Sequence, residues 1–487
     1  MIEPKKNKKG ENVMRCYLIN QNQPFLDIEF EQNEIKKIND IIDIDYAPLS
    51  IYNASNDKNK ILLKETNNWF KNRGIPLWRK ELAQLLQKMN IESPTELLDK
   101  AHGLSLSDQY WIKDINSNIE WEDINFFEHD FQFANFLEAS LSPRSSNKQP
   151  EIHSPNNTTD GMLPKSWIIE NGKRVLVKRT FEPSNQEPFN EWLASEISER
   201  LGFDYCPYKI DVIDNKLVSK CDNFLNKNQE IISAYDIYNT KQKPNHVNDF
   251  NHYIQILKEN GIENAREQLE NMIILDYLTM NYDRHMKNFG IIRNVQTLKW
   301  EKTTPLFDNG QSMNCDTITS QMNFNNGEGK LFYDTHKKFS KYPNLITDFS
   351  RFDFNNLNDL PEKFKEVLIQ YKEYAYMDEN RINKLVNGLE MRIDKIKEVQ
   401  KQRTKNWDLK TLLVNDLKNE MDEEIFESAL ISSIPKSQQQ KFSQKIDQSN
   451  NSKELATLEY FEQQELEDSS TTTKKSTKKS EDLDFDF

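Results

Sequence analysis

Three residues carry the strongest chemical signal in this 487-residue sequence. Asp283 and Asn288 stand five apart in Asp283-Arg284-His285-Met286-Lys287-Asn288, and Asp308 opens Asp308-Asn309-Gly310 twenty residues later. Magnesium takes oxygen ligands in near-octahedral geometry and commonly binds substrate phosphates beside only one or two protein groups. Asn288 and Asp308 offer such oxygens from two loops, and Asp283 offers a base for an incoming hydroxyl. Those are the needs of phosphoryl transfer, in which catalysis is mostly positioning and charge neutralisation. Taken singly, Asp283 and Asn288 would serve equally well as helix caps or turn residues. Their combination with Asp308 and an upstream lysine is what points to a nucleotide site.

That lysine is Lys178, at the end of Val175-Leu176-Val177, with Glu191 on the next predicted helix. This is the order of a phosphate-binding lysine held by a helix carboxylate, although both residues are also common as solvated charges. Ahead of them lies the polar stretch Thr158-Thr159-Asp160-Gly161-Met162-Leu163-Pro164-Lys165, whose backbone N–H groups could face an anion.

The elements that must position these residues are readable from turns and periodicity. Asn171-Gly172 between two apolar runs predicts a hairpin, and Asp214-Asn215 predicts another between Tyr208–Ile213 and Lys216–Ser219. Phe189, Trp192, Leu193, Ile197 and Leu201 recur at helical spacing, and Gly202 is placed to end that helix. Residues 160–225 therefore read as strand–strand–helix–strand–strand. From about 262 the chain reads as mainly helical, with Leu269, Met272, Ile273 and Tyr277 on one face. A short strand is expected around Phe289–Ile292, and another helix from Leu360-Pro361.

Outside this region, residues 1–12 form a Lys-rich tip and 433–487 a Gln/Ser/Lys/Glu/Thr tail, both expected to be disordered. Residues 13–145 are dense in aromatics, which by default implies a packed core. Lys+Arg number 64 against Asp+Glu 78, a net charge of −14, so the chain as a whole lacks the basic footprint of a nucleic-acid binder. The mean hydropathy is −0.83, and no apolar run approaches the roughly 20 residues of a membrane span. No secretory signal is seen, and the expected location is cytoplasmic. Cys16, Cys206, Cys221 and Cys315 lack metal-ligand spacing and fit reduced, buried thiols.

The segments LDYLTMNYDRHMKNFGIIRN and TPLFDNGQSM together resemble the catalytic core of the HipA-like serine/threonine kinases. TTDGMLPK, WIIENGKRVLVK and QEPFNEWLASEISERLG follow the same family order, and the resemblance covers roughly residues 150–400. It implies an α+β, bilobed protein-kinase-like fold. The parts would be an extension domain at 13–145, an N-lobe at 150–225 and a mainly helical C-lobe at 226–415.

Carried over residue by residue, the resemblance makes Asp283 the catalytic base, with Asn288 and Asp308 as ligands of Mg2+. Gly161, Lys165, Lys178 and Glu191 would serve the phosphates of ATP. Arg284 and His285 would brace the catalytic loop. Ser219, Lys220 and Cys221 would form the hinge that binds adenine through its backbone. Autophosphorylation is implied at Thr158, with Thr159 and Ser154 as neighbouring candidates; a threonine there departs from the family's usual serine. A phosphate adds nearly two negative charges, which would repel that loop from the nucleotide. The resemblance further implies a protein substrate, an aminoacyl-tRNA synthetase among the candidates, and an antitoxin partner in a toxin–antitoxin or defence module. A phosphoinositide-type lipid kinase shares the DRHxxN…DxG arrangement, but no basic membrane-facing patch is evident here. A pseudokinase scaffold is the other alternative, against which stands the presence of every expected residue type.

Overall fold

The computed structural model describes residues 5–6, 12–31, 33–55, 59–74, 86–87, 90, 93, 96, 102–131, 154–155, 165–180, 185–245, 247–332 and 336–420. Thr158, Thr159, Gly161 and the 433–487 tail lie outside the described residues. The chain forms two compact units, one of residues 1–346 and 352–397, the other of residues 347–351 and 398–487. The candidate site lies in the first.

The aromatic-rich N-terminal region is built on an antiparallel sheet. Strands β1 (Lys5–Lys6), β2 (Asn12–Asn20), β3 (Gln23–Glu31) and β4 (Glu34–Ile41) run in order, and β5 (Tyr110–Asp114) pairs with the other side of β2. Within the tip expected to be disordered, Lys5–Lys6 thus pair with Asn12 and Val13. Such pairing is a backbone matter and needs no apolar alternation to announce it. Cys16, Leu18, Leu26, Ile28 and Phe30 pack against Ile51 of α1 (Leu49–Ser55) and against Leu62 and Phe70 of α2 (Asn59–Asn72). Trp111, Trp121, Phe126 and Phe131 form a second cluster that also takes in Trp167 and Ile169. These aromatics are core, as their density predicts.

The next region follows the expected pattern. Strands β6 (Lys165–Glu170), β7 (Lys173–Lys178), β8 (Tyr208–Ile213) and β9 (Lys216–Asp222) form one antiparallel sheet in the order β6-β7-β9-β8. Asn171-Gly172 (φ 53° and 75°) and Asp214-Asn215 (φ 51° and 59°) are both left-handed pairs, which a two-residue hairpin loop matched to strand twist requires. Helix α3 (Glu187–Leu201) ends on Gly202 at φ 73°, the left-handed stop anticipated from its glycine.

Beyond it come β10 (Gln229–Ser233), α4 (Asp249–Glu259), α5 (Ala265–Thr279), β11 (Asp283–His285), β12 (Gly290–Asn294), β13 (Trp300–Thr303), β14 (Glu328–Phe332), β15 (His336–Lys338), α6 (Leu360–Ala375) and α7 (Glu379–Glu420). Helices frame this lobe, but residues 283–338 depart from the mainly helical expectation. They contribute to two three-stranded sheets, β10-β12-β13 and β11-β14-β15. Strands this short leave too little sequence for a period-two pattern to show. At Gly290 a Cβ would lie 2.0 Å from the Ile232 carbonyl oxygen, so only glycine lets β12 approach β10 so closely. Arg293 on β12 donates to Glu230 Oε1 at 2.7 Å and to the Tyr110 hydroxyl at 3.0 Å, joining the N-terminal sheet to this lobe.

Candidate functional site: two loops on one arginine

Lys178 ends β7 and is 5% exposed, an expensive place for an ammonium unless it is paired. Its Nζ donates to Glu191 Oε1 at 2.8 Å, Asp308 Oδ1 at 2.8 Å and the Tyr208 hydroxyl at 3.0 Å. All three ammonium protons therefore have acceptors. Burial would lower the Lys178 pKa, but the facing carboxylates of Asp308 and Glu191 outweigh it and hold the ammonium well above its usual range. Burial raises the Glu191 carboxyl against the pull of Lys178. Burial also acts to raise Asp308, but Lys178, Lys165 and Arg284 prevail and keep its carboxyl below the ordinary range. Lys165 stands directly opposite Lys178 in the β6–β7 ladder, so two lysines share one sheet face beside Asp308.

Glu191 is buried because it has a second duty. Its Oε2 accepts the backbone N–H of Asn309 at 2.8 Å, fixing the turn that follows Asp308. Asn190, its neighbour on α3, donates to the carbonyls of Gly310 and Ser312 at 2.7 and 2.9 Å. The helix thus grips the loop after Asp308 at Asn309, Gly310 and Ser312. Asp308 itself sits at φ 58°, a conformation that an aspartate tolerates better than most side chains.

The second loop carries Asp283 and Asn288. The Asn288 Nδ2 donates to the Asp283 carbonyl at 3.0 Å, which leaves its Oδ1 as the ligand-type oxygen. Asp283 lies on β11 with its side chain 31% exposed, and Lys330 Nζ approaches its Oδ1 at 3.2 Å. His285 Nδ1 accepts the Lys287 N–H at 3.2 Å, and its Nε2 is 3.8 Å from Asp283 Oδ2. The ring thus lies between the Lys287 backbone and the Asp283 carboxylate.

Arg284 joins the two loops. Its side chain is fully buried, and it forks onto Asp276 with Nε to Oδ2 at 3.0 Å and NH2 to Oδ1 at 3.0 Å. One NH1 donates to the carbonyl of Asn288 at 2.9 Å and to that of Phe307 at 2.7 Å, while NH2 also bonds the Asn309 side chain. A single guanidinium, anchored by a buried carboxylate, holds the residue before Asp308, the residue after it, and Asn288. An unbroken chain of contacts runs from Asp283 through Asn288, Arg284, Asn309, Glu191 and Lys178 to Asp308.

The hinge residues do not sit where they were expected. Ser219, Lys220 and Cys221 lie in β9, whose register pairs them with β7 on one side and β8 on the other. An inner strand has no backbone group left for adenine. The Lys220 ammonium is also taken up, by Glu170 and Asp211 at 2.5 and 3.0 Å. The first segment past the ladders is Asn223–Asn226. Phe224 there faces Phe307 with ring centroids 5.8 Å apart, beside Leu176 and Cys221. Ser154 is described and fully buried. Tyr208, Asn190, Asp276 and Lys330 were not singled out in the sequence. Asp276 alone had a signal, as an acid inside an otherwise apolar helix face.

The family model of the HipA-like C-terminal domain matches residues 157–377. Over that stretch the chain is similar to the C-terminal domain of HipA-like proteins. Every site residue above except Ser154 falls within it. Among solved structures, the Helicobacter pylori proinflammatory kinase CtkA is similar at 18% identity and TM-score 0.40, over 50% of this chain and 95% of that one. HipA of Shewanella oneidensis MR-1, in its toxin–antitoxin complex with HipB and operator DNA, is similar at 13% identity and TM-score 0.44, over 79% of this chain and 99% of that one. No curated protein matches. All four cysteines are free and buried, and no helix among the described residues is long and apolar enough to cross a membrane.

Proposed function

We propose that this protein is a Mg-ATP-dependent serine/threonine protein kinase of the HipA-like type. The observation that carries this reading is the convergence on Arg284 of the Asn288 loop and the Asp308 loop, with Lys178 and Glu191 completing the assembly. Among the described residues no cluster of three His, Cys, Asp or Glu side chains could hold a metal. Magnesium bound mainly through substrate phosphates needs only one or two protein oxygens, and the oxygens of Asn288 and Asp308 suit that hard cation. When bound, it would neutralise charge on the phosphates of ATP.

The residues then divide the work. Lys178, opposite Lys165, exchanges its contact with Asp308 for the phosphates of ATP, while Glu191 holds it in place. Asp283 orients the acceptor hydroxyl and takes its proton. The hydroxyl oxygen forms a bond to the γ-phosphorus, the bond from that phosphorus to the β,γ-bridging oxygen breaks, and ADP leaves. Adenine recognition belongs to Asn223–Asn226 in this reading, with Phe224 and Phe307 as its apolar wall. Autophosphorylation is assigned to Thr158 or Thr159, since the buried Ser154 does not present its hydroxyl. The same reading includes a cytoplasmic location and an antitoxin partner, by analogy with the HipA and HipB complex.

The test is incubation of the purified protein with labelled Mg-ATP beside an Asp283→Ala control, with mass spectrometry of labelled peptides. Label on Thr158 or Thr159, absent in the control, supports both kinase and loop modification. Label on an added protein alone keeps the kinase and removes the autophosphorylation. Absence of label on itself, on lysate proteins and on lipids, with ATP still bound, overturns the enzyme reading.

A further inference from the structure

The register of the small β11-β14-β15 sheet places three side chains in one row. Asp283 pairs with Lys330, and Lys330 pairs with His336. Directly opposite residues share a face of a sheet, so the row runs from the proposed base outward across three strands. Exposure follows the row: the Asp283 and Lys330 side chains are about a third exposed, at 31% and 28%, while His336, Lys337 and Lys338 are exposed. Strand β15 is the edge, with nothing paired beyond it among the described residues. Lys338 lies on the same face as His336, opposite Glu328, whereas Lys337 points to the other face.

Beneath this hairpin the packing is tight. A Cβ at Gly329 would lie 2.9 Å from the Phe339 ring and 2.8 Å from the Asn281 carbonyl oxygen, and the Phe339 ring packs at a tilt against the buried Tyr342, with centroids 5.0 Å apart. The outer face is therefore a fixed, cation-bearing shelf next to the base, on a chain whose net charge is −14. Lys341, just past the strand, is also exposed.

Resting on the kinase reading, we infer that this shelf selects an acidic phosphoacceptor polypeptide, with a carboxylate about three residues from the accepting hydroxyl. The spacing follows from the sheet. Two strand separations put β15 about 10 Å from β11, and an extended peptide crossing them advances about 3.3 Å per residue. The occupant is a substrate segment with Asp or Glu at that position, held by Lys338 and His336 while Lys330 stays with Asp283.

The experiment uses the full chain and synthetic peptides with one Ser or Thr, carrying Asp, Ala or Lys three residues before or after it. Steady-state KM and kcat are measured at saturating Mg-ATP, for wild type, Lys338→Glu and Lys337→Glu. The two variants change net charge equally on opposite faces of one exposed strand, and thermal melts confirm that both fold. Expected is a KM for the Asp peptide roughly two- to fivefold below that of the Ala peptide, the range open to an exposed charge pair. Lys338→Glu abolishes or inverts this preference, Lys337→Glu leaves it, and the KM for ATP is unchanged in both. Equal effects of the two variants, or no preference at either position, overturn the inference while leaving the kinase reading intact. Transfer to the protein itself with none to any acidic peptide overturns it as well. Absence of all phosphoryl transfer with any acceptor removes the kinase reading, and the inference with it.

Discussion

Replacing Arg284 should do more damage than replacing the base it sits beside, and the geometry says how much. The guanidinium neutralises Asp276, whose carboxylate also accepts from the Asn281 amide at 3.1 Å. Removing one member of such a buried pair costs about 3–5 kcal/mol, because the other charge is left uncompensated. The Phe307 and Asn288 carbonyls each lose a donor, on the order of 1 kcal/mol apiece if they are not rewetted. Arg284→Met is thus expected to lose about 5–7 kcal/mol, comparable to the whole stability of a typical domain. Replacing both partners, as Arg284→Met with Asp276→Leu, removes the orphaned charge and should restore most of that stability. Activity should not return, because the Phe307 carbonyl and the Asn309 side chain still lack their anchor. Urea unfolding followed by circular dichroism gives the stabilities, and phosphate transfer from labelled ATP gives the activity. A single variant as stable as wild type would refute the energetic argument, and an active double variant would refute the claim that Arg284 aligns the two loops.

Three further outcomes follow from the same geometry. Lys178→Met should weaken ATP binding by about two orders of magnitude, read with a fluorescent nucleotide, because it strips the phosphates' ammonium and leaves Glu191 and Asp308 facing each other unpaired; nucleotide affinity within a few-fold of wild type would sink this assignment. Glu191 is raised by burial, so the folded protein holds its proton where the unfolded chain does not. Its contribution to stability is present below the ordinary glutamate value of about 4.3 and is lost as pH rises through the raised one. Relative to Glu191→Gln, the wild type should therefore lose stability as pH climbs from that value toward neutrality, and a difference that moves the other way would reverse the sign. Gly290→Ala places a methyl group 2.0 Å from a backbone oxygen of β10 and should cost more than about 3 kcal/mol, since a strand rather than a flexible side chain must move; an unchanged melting temperature would show that β10 and β12 are less constrained than their register implies.

What could be read from the sequence was what is local. The hairpins at Asn171-Gly172 and Asp214-Asn215 follow from residues that tolerate left-handed backbone, and Gly202 marks a helix end for the same reason. Asp283, Asn288 and Asp308 were legible because the loops that carry them are short and their residue types are chemically explicit. Lys178 and Glu191 were ambiguous, since a strand-end lysine and a helix glutamate carry no sign of meeting. Tyr208 joins them from 30 positions away, and Lys330 reaches Asp283 across 47. Partners at such separations are set by topology.

The hinge shows why topology matters even where secondary structure was correct. Lys216–Ser219 was rightly expected to be a strand, and a strand offers backbone groups to adenine only from a free edge. Whether β9 has one depends on the strand order β6-β7-β9-β8, in which a later strand inserts beside β7 and is flanked in turn by β8. Nothing in Lys216–Asp222 reports that insertion. The correction moves the proposed adenine contact by only a few residues, yet it changes their character, from ladder-bound Ser219, Lys220 and Cys221 to the loop at Asn223–Asn226. The strand order therefore makes two separable predictions. Proline at Ser219 should break the sheet and unfold the lobe, because an inner strand cannot lose a ladder donor. Phe224→Ala should leave the fold in place, since Phe224 is only half-buried, and weaken ATP binding with little effect on free triphosphate. Equal loss of affinity for both ligands would place adenine elsewhere.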